Sequence, residues 1–274
     1  VDAELRDLER RWRAGEPESL AVFVHAHERA GVPLPFEVLL ALPRWHGLAD
    51  SVAGWCSRPL CPEDGLPEAA IVRREAELGF RLPTALREWY RLVGASLRQV
   101  LDRPMRLEEL APYHGSNGRY LPVFAHLLNH AHDHYEWAVL DAHLAATDPP
   151  VVVSHDRKPF EPSAELLSAL LTAKVIEGAI YAATQSDRET HIGNLALNVQ
   201  GAYFESRSTH LLDRYGTLPL PPLLISDWTS AIEWWGDEDT IVAFCRAGSL
   251  GGAIARSNAA WERFRETAGV TLMD

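Results

Sequence analysis

Lysine is almost missing from this chain of 274 residues: Lys158 and Lys174 are the only two, and arginine supplies the rest of its 26 basic residues. Against 38 aspartates and glutamates this leaves a formal net charge of −12. A field of that sign repels phosphate, which argues against nucleic acid as a direct ligand and suits a basic protein partner. Cysteine is also sparse. Its count of three is odd: Cys56 and Cys61 flank a short stretch containing Pro59, and Cys245 is remote. That spacing fits neither a zinc knuckle nor a disulfide framework, so reduced structural thiols are expected. Long apolar runs are absent, so no membrane span is expected, and the charged start VDAELRDLERRWR lacks the apolar core of a signal peptide. The chain reads as cytoplasmic. It contains no G-x-S-x-G, H-E-x-x-H or G-x-G-x-x-G. The glycine-rich AGSLGGA at 247–253 lacks the Lys-Ser/Thr ending of a phosphate-binding loop and reads as a hairpin turn. No carboxylate pair stands out as an acid/base couple, and no cofactor is expected.

What is present is a globular composition with 47% hydrophobic residues and nine tryptophans spread along the chain as core anchors. Residues 1–60 read as short helices: Leu5, Leu8 and Trp12 recur at helical spacing, Gly31 stops a second run, and Pro43 cuts a third. CSRPLCPEDGLP at 56–67 breaks all periodicity and is the best candidate linker. A helix from Glu68 to Leu78 then meets Gly79, where a left-handed residue is wanted, and Pro83 sits favourably at the first turn of the next helix. Strand character appears at 120–125, 137–140 and 151–154, before a helix that Ser163 is expected to cap. Further strands are expected at 179–183, 195–199, 202–206, 240–246 and 252–256, and Ser257 is expected to cap a final helix carrying Trp261 and Phe264.

Two stretches invite chemistry. In HLLNHAHDHYEW (126–137), His126, His130 and His134 have the spacing of one helical face, and His130, His132, Asp133 and His134 approach an H-x-H-x-D-H metal run but miss it by one residue. This segment supports an alternative reading as a metal-dependent hydrolase, with Asp141, His143 and His155 as the nearby recruits. The plainer reading is a polar loop between two strands. In WWGDEDT (234–240), Trp234 and Trp235 cannot point the same way in a helix or a strand, which leaves one as a candidate surface anchor. With Asp237, Glu238 and Asp239 they form a candidate site for a basic protein partner.

The stretch EAAIVRREAELGFRLPTALREWYRLVG, with Glu75 or Glu77, Leu78, Gly79, Leu82, Pro83, Trp89, Tyr90 and Leu92, resembles the opening signature of the SUKH superfamily of Smi/Knr-type domains. The order YLPVFA, YEWAVLD, DPPVVVSHD and then a helix near Ser163 is similar to that family as well, so that the resemblance covers about 66–178. It implies an α+β fold, a mainly antiparallel sheet flanked by helices, here with a helical extension at 1–60. A C-terminal α/β extension at 179–274 would be either independent or packed on the same sheet. It further implies a non-enzymatic binding surface, as in bacterial immunity proteins that neutralise toxins, often nucleases, by docking. A regulatory or scaffold role of the Smi/Knr type is the alternative within the same fold. No catalytic residue is implied.

Overall fold

The computed structural model describes residues 2–16, 18–96, 103–115, 118–127, 134–155, 159–164, 166–184, 191–192, 195–196, 200–205, 216–218, 233–237, 239–245, 250–268 and 271–272. The chain is α+β, as the sequence led us to expect, and it divides into two compact units, Val1–His46 and Gly47–Asp274. No helix among the described residues is long and apolar enough to cross a membrane.

The first unit is helical: α1 (Asp2–Arg13), α2 (Ser19–Ala30) and the single-turn α3 (Phe36–Leu40). The apolar stripe read from the sequence is the one that packs. Leu5, Leu8 and Trp12 meet Leu20, Phe23, Val24 and Ala26, with Val38 closing the cluster. Trp12 stacks on Phe23 at 6.2 Å between ring centroids. Gly31 ends α2 at φ 64°, and the Val32 N–H reaches back to the His27 carbonyl, which satisfies an otherwise orphaned acceptor.

The second unit opens with α4 (His46–Trp55), followed by α5 (Glu68–Leu78) and α6 (Thr84–Val93). Gly79 ends α5 at φ 73° and ψ 13°, its N–H bonded to the Glu75 carbonyl. Pro83 sits one position before the first turn of α6, as its N-cap. Between them Leu82 is buried, and its N–H donates to Glu75 Oε1 at 2.7 Å. The other Glu75 oxygen accepts from Arg87, whose second arm holds Glu68, and Arg91 Nε lies 3.3 Å from the same Glu68. Glu77, the other glutamate available here, is half-exposed and pairs with Arg74. Trp89 and Tyr90 are buried, and Tyr90 donates its hydroxyl proton to the Met105 carbonyl. A Cβ at Gly79 would meet nothing within 4 Å, so its requirement for glycine comes from the backbone angle alone. Gly79→Val should therefore cost more than about 1 kcal/mol in urea unfolding, since a β-branched residue resists the left-handed region. Gly79→Asn should cost less, and equal effects would contradict this origin.

The segment 56–67 is not a linker. Asp64 is 1% exposed, and its carbonyl accepts from the Ala95 and Ser96 N–H groups beyond the end of α6. The Leu66 N–H donates to the Tyr90 carbonyl at 2.7 Å. At Gly65 an added Cβ would stand 1.6 Å from the Arg91 carbonyl oxygen, so backbone meets backbone there.

Six strands follow: β1 (Arg103–Pro104), β2 (Tyr113–Gly115), β3 (Gly118–Leu127), β4 (His134–Leu140), β5 (Val151–His155) and β6 (Glu161–Ala164). They form one antiparallel sheet in the order β1-β3-β4-β5-β6, with β2 also on β3. Next comes α7 (Leu167–Thr184). Its cap differs from expectation: Ser163 lies in β6, and Asp148 accepts from the backbone N–H and the hydroxyl of Ser168 in the first turn. The strand expected at 179–183 is the last part of this helix.

The remaining strands are β7 (His191–Ile192), β8 (Leu195–Ala196), β9 (Gln200–Glu205), β10 (Gly216–Thr217), β11 (Glu233–Gly236), β12 (Thr240–Cys245), β13 (Leu250–Ala255) and β14 (Thr271–Leu272). A second antiparallel sheet runs β10-β11-β12-β13-β9-β14, and β7 pairs with β8. Before β14, α8 (Asn258–Ala268) begins after Ser257, whose hydroxyl accepts from the Ala260 N–H, with Trp261 and Phe264 buried. Both α7 and α8 lie against β9 and β13. On its other side α7 covers the first sheet, where Lys174 rests over Trp137 of β4. Leu167, Leu170, Leu171, Val175, Ile176 and Ile180 are all at most 2% exposed, which is the burial expected of a helix that is apolar all round.

Candidate functional site

The helical stacking considered for the histidines does not occur. His126 lies in β3 and His134 opens β4, with Leu127 and His134 paired in register. His130, His132 and Asp133 lie outside the described residues, and no group of three potential ligands occurs among the described ones. Asp141 and His143 are exposed on a single 3-10 turn after β4, where Arg119 pairs with Asp141 at 3.5 Å.

Trp234 and Trp235 are both buried, at 2% and 5% exposure, so neither is a surface anchor. They alternate along β11 as adjacent strand residues must, and the sheet is covered on both faces at that point. Asp237 is exposed, but its Oδ1 accepts from the Asp239 and Thr240 N–H groups and shapes the turn into β12. Asp239 is paired with Arg263 at 3.1 Å. Glu238 lies outside the described residues.

Cys56 and Cys61 are not poised as nucleophiles. Cys56 and Cys61 are free. Burial pushes the Cys56 thiol up to about 11, and burial with hydrogen bonds to the Glu63 and Asp64 carboxylates raises Cys61 as well. Beside them Asp64 is saturated: Arg58 binds it through both arms at 2.6 Å, the Cys61 N–H donates at 2.9 Å, and Ser96 donates its hydroxyl proton. Burial alone would raise its carboxyl, but these donors outweigh that and hold it far below the carboxylate range. A carboxylate so held neither takes nor gives a proton near neutral pH. This cluster is structural.

Two groupings went unnoticed in the sequence. Lys174 is 1% exposed, its Nζ 3.9 Å from the centre of the Trp137 ring and donating to Glu177 at 2.9 Å. Burial lowers its pKa, with Glu177 opposing. It is enclosed between α7 and the first sheet, where no substrate is in reach.

The second grouping faces outward. Tyr113 and Tyr120 stand directly opposite each other on β2 and β3, with ring centroids 6.1 Å apart and planes nearly parallel. Phe160 meets Tyr120 edge-on at 4.8 Å. Register places Tyr120 across from Leu140, and Ala138 across from Val152, so these positions share the face of the first sheet turned away from Trp137 and α7. Tyr120, Leu140, Val152 and Phe160 are half-buried, and Tyr113 at 50% exposure is the one aromatic among the exposed large apolar residues described. Glu136 lies on the same face, two positions before Ala138, and is also half-buried. The sequence did not signal this pair: an Asn-Gly turn at 117–118 of YHGSNGRY would place Tyr113 opposite Pro122, whereas Gly115 stands opposite Gly118 and Tyr113 opposite Tyr120. Stacked and edge-on aromatics of this kind, partly exposed, can take up a protein surface. In comparisons with known proteins, no family model, no curated protein and no solved structure matches this chain.

Proposed function

We propose that the chain is a non-enzymatic protein-binding protein, and specifically an immunity protein that neutralises a toxin domain by direct docking. The observation that carries this reading is the half-exposed Tyr113–Tyr120–Phe160 surface on the face of the first sheet turned away from α7. Rigid aromatic side chains lose little entropy on binding and dominate interface energetics. The net charge of −12 supports steering toward a basic partner. The resemblance of 66–178 to SUKH-type domains supports the toxin as the kind of partner. The test is co-expression with each toxin encoded beside its gene. Growth rescue by the native chain is expected, and Tyr113→Ala with Phe160→Ala should abolish it while leaving the urea unfolding midpoint nearly unchanged. Failure of the native chain to rescue with any neighbouring toxin removes the immunity role.

A further inference from the structure

We draw no further inference here: the strongest candidate, the outward-facing Tyr113–Tyr120–Phe160 patch of the first sheet, belongs to the site already described, and nothing in the structure shows what covers it.

Discussion

Asp64→Ala is expected to destabilise the protein by about 3–5 kcal/mol at neutral pH, the range for removing one partner of a buried, hydrogen-bonded ion pair. The carboxylate is 2% exposed and receives both arms of Arg58, the Cys61 N–H and the Ser96 hydroxyl. Its loss would strand the Ser96 hydroxyl, itself 2% exposed, and free the segment that fixes the end of α6. Arg58→Ala should cost a comparable amount, because the guanidinium it removes is 43% exposed but the Asp64 carboxylate it leaves behind is 2% exposed and loses its counter-charge. The pH dependence has a definite sign. Asp64 is depressed in the folded state relative to its ordinary 3.8, so its contribution is complete above that value and is lost as the pH falls below it. Urea unfolding of the native chain and Asp64→Asn between pH 7 and pH 3 checks this. The native chain should lose stability more steeply at the acid end, and parallel curves would contradict the assignment.

Lys174→Ala should also cost about 3–5 kcal/mol, because it removes three buried methylenes with the ammonium and leaves Glu177 without this cation. Lys174→Met should cost less than Lys174→Ala, since an apolar side chain of similar volume refills the slot over Trp137 with no ammonium to desolvate, although Glu177 still loses this cation. The lowered pKa of Lys174 means that the folded state disfavours the ammonium. Below that folded value the desolvation cost is present in full, and it is relieved as the pH rises toward the ordinary 10.5 of a lysine. Unfolding of the native chain measured from pH 7 to pH 9.5 should therefore show a rise in stability that Lys174→Met lacks. A rise of the same size in the methionine variant would locate its origin elsewhere.

The parts of the fold that the sequence discloses are those determined within a few residues. Gly79 and Pro83 mark a helix–turn–helix corner by backbone preference alone, and Leu5, Leu8 and Trp12 reveal a packed face by spacing. The apolar runs around Val123, Val139 and Val153 are strands for the same reason. What was misread depends on partners distant in the chain. The prolines and Gly65 in 56–67 look like a linker until Ser96, Tyr90 and Arg91 close on them. Ser163 has the composition of a cap, but Asp148 reaches the first turn of α7 from the loop before β5, twenty residues earlier. The stretch 179–183 has strand character locally, and its packing within α7 overrides it. The binding surface was the least legible, because cross-strand register, not composition, assembles Tyr113, Tyr120 and Phe160. Trp234 and Trp235 advertised an interface by composition and proved to be core.

The position of α7 bears on the order in which the chain folds. Every strand of the first sheet precedes this helix, and every strand of the second follows it. During synthesis the residues of α7 that meet Trp137 emerge after the whole first sheet, and the strands β9 and β13 that also pack on α7 emerge after the helix. A helix used from both sides ties the two sheets into one cooperative transition, in which losing either would expose apolar side chains that the other cannot cover.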